Sequence, residues 1–309
     1  MKLLKVILIK MKYKKAQNEP FFVFLFRYYL INCTVHSKLI SEEGDTLTIS
    51  FFNDYSIFEV PSRFSYQHVV YLLIDVLYII GLVLLCRKLS TKTVRIILIS
   101  LASICCLIFL GRMFFGWEWS RIYNDGSKTT LLPLELCNMN IFITLVALII
   151  NKKFLNNYLY FVSLVGGMIP LLVFPDCHMI TAGRNIFHYM FFDYWIIHTH
   201  LVAIPIVMIA TKMFRPSIKQ VPWVLLTTLC IYFVCFIASI TLRNFKSFEG
   251  ANYMYTMNHN NLPILKQLYD LIGIPFVYGL PIAIPLTIVF YIMSLPFLRK
   301  GDLKNERSN

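Results

Sequence analysis

Hydrophobic and polar positions along this chain alternate on a long wavelength. Apolar runs of about twenty residues, enough for an α-helix to cross a hydrocarbon core, are broken by short polar loops. Such runs lie near residues 66 to 87, 94 to 115, 132 to 151, 154 to 174, 188 to 212, 222 to 242 and 275 to 297. The pattern predicts an all-α fold, a polytopic transmembrane helix bundle of seven spans over residues 61 to 298. Ahead of it, residues 1 to 60 form an extension whose apolar stretch PFFVFLFRYYLINCTV is short and carries Arg27 at its centre, where a charge is costly. It reads as one extra span or as an interfacial segment. Residues 299 to 309 read as a polar cytoplasmic tail.

Charge gives the bundle a direction. The first connection holds Arg87, Lys88, Lys92 and Arg95, the third Lys152 and Lys153, and the fifth Lys212, Arg215 and Lys219, with no acidic residue in any of them. The second balances Glu118 and Asp125 against Arg121 and Lys128, and the fourth balances Asp176 against Arg184. By the positive-inside rule the core begins outside a cell membrane and ends in the cytoplasm. Composition agrees: 58% of residues are hydrophobic and 15% charged, and the mean hydropathy of +0.65 is far above that of a soluble domain. The net charge of +13 is therefore an orientation signal and not a sign of nucleic acid. Residues 1 to 19 are lysine-rich, and their apolar run VILI is too brief for a signal-peptide core, so the spans themselves target the chain. The longest outer loop, residues 243 to 274, contains GANYMY and the amphipathic LPILKQLYDLIG, and is expected to form a lid over an outer vestibule.

This topology places all seven histidines, His36, His68, His178, His188, His198, His200 and His259, at the outer face. Because histidine titrates near neutrality, polar chemistry is expected there. Cys137, in LPLELCNMN, opens the third span, and with Glu135, Asn138 and Asn140 it makes a polar helix end that must face protein or a water-filled cavity. Taken alone, Cys137 reads as a packed helix-end thiol. Eight cysteines without a CxxC pair argue against a disulfide framework or a zinc ribbon, although Cys33, Cys137 and Cys177 all lie near the outer face. In the fifth span, FFDYWIIHTHLVAIP, His198 and His200 stand about 200° apart around a helix, so one site uses only one of them directly. Asp193 is seven residues before His200 and nearly on its face, and Tyr194 is four before His198. Either histidine alone reads as a core residue bonded to a carbonyl. Beside a cysteine in a desolvated vestibule, an imidazole can instead generate the thiolate.

His68 and Asp75 share a face of the first span. Arg112 ends the second, where it holds a phosphate or neutralises Asp75 or Glu135, and Asn252, Tyr253 and Tyr255 decorate the long outer loop. The outer histidines with Asp193 and Glu135 would be enough ligands for zinc, but neither HxxxH nor HExxH spacing occurs, so no metal is expected. A GxSxG elbow, a phosphate-cradling glycine loop and a nucleic-acid module are likewise missing from the sequence.

FSYQH before the first span, LPLELC opening the third, the histidine after an aromatic-rich run in the fifth and GANYMY after the sixth keep an order and spacing that resembles the YwaF-like bacterial integral membrane proteins. Those are relatives of the animal transmembrane protein 164 family, and the resemblance covers about Phe64 to Phe297. The animal relatives are membrane acyltransferases that move a fatty acyl chain between phospholipids through a cysteine, with a histidine assisting. For this chain the resemblance implies Cys137 as nucleophile and His198 as base, acting on phospholipid and lysophospholipid with no soluble cofactor. His200, Glu135, Asn138, Asn140, Asp193 and Tyr253 are the supporting residues that their positions suggest. Water as acceptor would make the same site a lipid hydrolase. The contrasting class is a small-solute transporter or receptor with an outward polar site, for which Gly166, Gly167 and Pro170 would supply the broken helix.

Overall fold

The computed structural model describes residues 64–122, 132–173, 189–260 and 262–298. The extension 1 to 60, the tail 299 to 309, and His36, His178, His188, Cys33 and Cys177 lie outside the described residues. Every regular element among the described residues is helical. In chain order these are α1 (Tyr66–Cys86), α2 (Thr91–Ile122), α3 (Leu136–Ile150), α4 (Lys153–Val173), α5 (Tyr189–Ala210), α6 (Val221–Leu242), α7 (Pro263–Ile272) and α8 (Ala283–Ser294). Tight turns at Val277–Ile282 and Leu295–Phe297 extend α8 at both ends.

Six segments are long and apolar enough to cross a membrane: α1, α2 as far as Met113, α4, α5, α6 with its lead-in turn, and Val277–Phe297. The chain is a multi-pass membrane protein. The third apolar run departs from the expected full-length span, because α3 is a helix of 15 residues, rising about 22 Å against a core of about 30 Å. Tertiary contacts hold the preceding residues in a turn. The Leu134 carbonyl accepts from Cys235 Sγ of α6 at 3.2 Å, and the extended Glu135 caps the helix with its backbone while its side chain is engaged elsewhere.

The bundle is built for a solvent of hydrocarbon. The residues that α1 buries are His68, Asp75 and Cys86, while Leu73, Ile74, Leu77, Ile80 and Leu84 stay on the surface. Lipid is as apolar as leucine, so the polar groups and not the leucines have to turn inward. Inside, α5 is the most deeply buried of the six segments. It meets α1 through Trp195 and Thr199, which both donate to Asp75 Oδ1 at 3.0 and 2.9 Å. It meets α4 at Gly167, where an added Cβ would stand 2.9 Å from the His198 carbonyl oxygen and 3.0 Å from Leu201 Cβ and Val202 Cγ2. Near that crossing the last carbonyls of α4 find partners: Tyr194 donates to Pro170 at 2.8 Å, and His68 Nε2 bonds the Leu171 oxygen at 2.8 Å.

Helices α3 and α4 form a hairpin on Asn151, which adopts the left-handed conformation (φ 53°) that asparagine tolerates at a helix end. Within α4 the run Leu159–Ser163 loosens to a π-helix in the middle of the apolar core, with Tyr158, Leu159 and Phe161 fully buried. The third and fifth connections and the end of α8 meet at one end of the bundle. There Asn157 Oδ1 accepts from the Ser217 amide at 2.8 Å, and Arg215 donates to the Phe297 carbonyl at 2.6 Å. At the other end His68 meets α4 and Glu135 meets Met254 of the long loop.

The long loop is buried in one part only. No residue of α7 is buried, and Ile264 and Leu271 expose 70% and 82% of their surface. The buried part is the GANYMY segment, where Ala251, Tyr253 and Cys235 make one cluster and Tyr253 N and Thr256 Oγ1 both donate to Ser239 Oγ. Asn252 organises this segment by accepting from the Met257 and Asn258 amides at 2.8 and 3.1 Å.

Gly167→Ala should lower stability by about 1–3 kcal/mol, the typical cost of overpacking. Gly81→Ala, where nothing lies within 4 Å of the new Cβ, should be neutral or slightly favourable. Thermal unfolding of the two variants in detergent makes the comparison, and equal behaviour would contradict the close crossing of α4 and α5.

Candidate functional site

The polar interior begins with a charge pair. Arg112 of α2 donates through Nη1 to Oδ2 of Asp193 on α5 at 2.7 Å, with only 7% and 1% of the two side chains exposed. Phe109, one turn back on α2, presents its ring 4.4 Å from the guanidinium carbon. Arg112 therefore neutralises Asp193, and neither Asp75 nor Glu135 takes a direct ion pair with it. Arg112 Nε and Nη2 and Asp193 Oδ1 have no hydrogen-bond partner.

Cys137 sits in the first turn of α3 as a free thiol, half-buried and packed against the apolar cluster of Cys105, Phe109, Ile141, Ile197 and Leu201 that joins α2, α3 and α5. Its polar contact is a long one, 3.9 Å to Asn138 Oδ1. Phe109, which covers the Arg112 guanidinium, belongs to that cluster, as do Ile197 and Leu201 on either side of His198, so the thiol, the charge pair and the histidine border one apolar cluster. No direct hydrogen bond joins Cys137 to His198 among the described residues.

The two histidines of α5 are held differently. His198 Nδ1 bonds the Tyr194 carbonyl at 2.6 Å, and its ring lies 4.2 Å from that of Tyr194. A carbonyl only accepts, so Nδ1 carries the proton and the lone pair is on Nε2, which has no partner among the described residues. His200 Nδ1 bonds the Ile196 carbonyl at 2.7 Å, but its Nε2 accepts from the Tyr78 hydroxyl of α1 at 2.9 Å. Although Asp193 and His200 nominally share a face, α2 engages the first and α1 the second. His200 thus bonds α5 to α1.

Of the other expected residues, Glu135 accepts from the Met254 amide at 3.1 Å. It thereby fixes a turn in which both Met254 and Tyr255 have positive φ, a strained pair for non-glycine residues. Burial, together with the nearby Glu135, pushes the Tyr253 phenol up to about 12, so its hydroxyl, which is buried without a partner, stays a donor. Asn138 is buried beside Cys137. Asn140 is turned towards α4 instead, accepting from Tyr158 at 2.9 Å, with its Nδ2 3.6 Å from where a Gly166 Cβ would be. The sequence reading missed Tyr78, Trp195 and Thr199, and the only signal for them was the shared face of His68 and Asp75, which demanded partners. Among the described residues no group of three or more His, Cys, Asp or Glu is arranged to hold a metal.

Residues 63–294 match the model of the TMEM164 family. The chain belongs to that family. No curated protein and no solved structure matches it. The matched span contains every residue of the Arg112, Cys137 and His198 neighbourhood, so this TMEM164-family core holds the whole candidate site while the extension lies outside the match.

Breaking the charge pair from one side should be costly. Arg112→Gln alone leaves Asp193 buried without a countercharge, at about 3–5 kcal/mol, whereas Arg112→Gln with Asp193→Asn removes both charges and should recover most of the loss. Unfolding midpoints of the single and double variants test this, and additive losses would contradict it.

Proposed function

We propose that this protein is a phospholipid acyltransferase of the cell membrane, with Cys137 as nucleophile and His198 as its base. The inequality of the two histidines carries the reading. His198 keeps a free lone pair on Nε2 beside the apolar cluster that receives Cys137, whereas the His200 lone pair is committed to Tyr78. Membership of the TMEM164 family supports it, as does the resemblance drawn from LPLELC and GANYMY.

In the first half-reaction His198 Nε2 takes the proton of the Cys137 thiol and the sulfur adds to an ester carbonyl of the donor phospholipid. Collapse of the tetrahedral intermediate breaks the ester C–O bond, and His198 returns its proton to the departing alkoxide, giving a lysophospholipid and an acyl thioester. In the second, a lysolipid hydroxyl gives its proton to His198, its oxygen adds to the thioester carbonyl, the C–S bond breaks and the thiolate recovers the proton. The apolar cluster around Cys137 excludes water from the thioester, which favours transfer over hydrolysis. Closing the site requires Cys137 and His198 to come within hydrogen-bond reach or to share one water, as catalytic contacts often do only with substrate bound.

The same proposal makes α3 the seventh crossing, completed by residues 132 to 135, with the core N-out and its C-terminus cytoplasmic. Leu136 at the start of α3 lies beside Gly166 of α4, so the two arms of the hairpin are matched in length across the Asn151 turn. A crossing α3 also puts every purely basic connection on one side.

Two measurements test these assignments. Cys137→Ser should lose most acyl exchange between phospholipids in reconstituted membranes while staying folded, His198→Gln should lose about 10²–10⁴-fold, and His200→Gln should lose far less. Full exchange by the serine variant would end the covalent mechanism. For orientation, an impermeant thiol reagent applied from outside should label a cysteine introduced at Gly250 and spare ones at Lys92 and Lys219, and labelling at Lys219 would reverse the topology.

A further inference from the structure

Arg112 uses one of its three nitrogens. Nη1 is taken by Asp193, while Nε and Nη2, the two donors along one edge of the planar guanidinium, are buried and unpartnered. A buried donor without an acceptor is costly, and a buried charged one more so. A pair serving packing alone would be expected to spend the forked edge on the carboxylate, as bidentate arginine–carboxylate pairs do. Here the carboxylate holds the guanidinium from the side and leaves the fork open. Asp193 Oδ1 is unpartnered as well, so the pair is not saturated from either side.

Two observations give this edge its place. Phe109 covers the guanidinium at 4.4 Å and Asp193 pins it, so its orientation is fixed before any ligand arrives. Phe109 also belongs to the apolar cluster against which Cys137 packs, together with Ile197 and Leu201 on either side of His198 in α5, which sets the guanidinium beside the proposed reacting atoms.

We propose that the Nε/Nη2 edge of Arg112 binds two oxygens of a lipid phosphate and so selects phosphate-bearing lipids over neutral glycerolipids at the Cys137 site, with Asp193 as the positioning residue that aims it. The inference rests on the acyl-transfer reading for the identity of the lipid, but the recognition it describes is a binding step that needs no turnover. A phosphodiester offers two oxygens at the spacing of the fork. A monoacylglycerol of the same chain offers hydroxyls and one carbonyl, and would leave at least one donor unpaired.

The test is equilibrium binding to the full chain in detergent, in a Cys137→Ser background so that nothing turns over, with lysophosphatidylcholine and a monoacylglycerol of the same acyl chain as probes. The parent should bind the lysophospholipid at least about tenfold more tightly. Arg112→Gln with Asp193→Asn should bring that ratio to about one. Arg112→Lys, which keeps the charge and loses the fork, should also reduce it severalfold, and this variant serves if the double variant is unstable. A ratio near one in the parent, or a ratio that survives both substitutions, would overturn the proposal. Inorganic phosphate displacing the lysophospholipid at matching concentration would assign the edge to a free anion and overturn it too. If the ratio behaves as expected while the unsubstituted protein moves no acyl groups, the Cys137 mechanism fails and the phosphate assignment stands. If acyl exchange proceeds without discrimination, only the phosphate assignment fails.

Discussion

A charge placed among hydrocarbon has to find its countercharge inside the protein, and the bond between Arg112 and Asp193 is where this fold meets that requirement. It ties α2 to α5 at a fixed height and rotation. Once those two helices are in register, Phe109, Ile197 and Leu201 fall into one cluster that also receives Cys137 and Ile141 of α3. The position of the thiol therefore follows from the position of the charges. Tight approach of α4, possible because Gly167 has no side chain, closes the other flank of α5 next to His198.

Many polar groups in this bundle tie helices together. Asp75 binds Trp195 and Thr199, His68 binds the end of α4, His200 binds Tyr78 and Asn140 binds Tyr158. Each is a bond between helices, the kind that fixes packing where burial of apolar surface gives no drive. Orphan atoms remain at Asp75 Oδ2 and Asn156 Oδ1 as well as at Arg112 Nε and Nη2, Asp193 Oδ1 and the Tyr253 hydroxyl. Further orphans at Asn140, Thr144 and Ser163 lie along α3 and the π-helical turn of α4. There the looser backbone and the small Gly166 let the two helices approach without completing their hydrogen bonds.

The resemblance legible in LPLELC, GANYMY and the histidine of the fifth run placed the chain near the family to which it belongs. The apolar runs also located the helices closely, because crossing a hydrocarbon layer demands both length and hydrophobicity and leaves little else to decide. The third run was the exception. Its residues are as apolar as the others, but Cys235 and Met254 hold Leu134 and Glu135 in a turn, and nothing in the local sequence announces partners from α6 and the loop beyond it. Of the two pieces of the long outer loop, the polar-looking GANYMY is the buried one, while the amphipathic LPILKQLYDLIG has no buried residue in its helix. Amphipathicity reports an interface and does not say whether the apolar side meets protein or lipid.

What the sequence alone determined, then, is everything governed by local composition: helices, their approximate ends, the sorting of basic connections, and the list of residues too polar for lipid. Helical spacing also determined that His198 and His200 could not serve one site together, since two residues turn a helix by about 200°. Which of the two keeps its lone pair was beyond it. That depended on Tyr78, in a different helix, taking the Nε2 of His200, and on Arg112 choosing Asp193 over Asp75 and Glu135. Such choices are made by rotation and height between helices distant in sequence, quantities that side-chain packing across the bundle fixes and that no periodicity along one helix records.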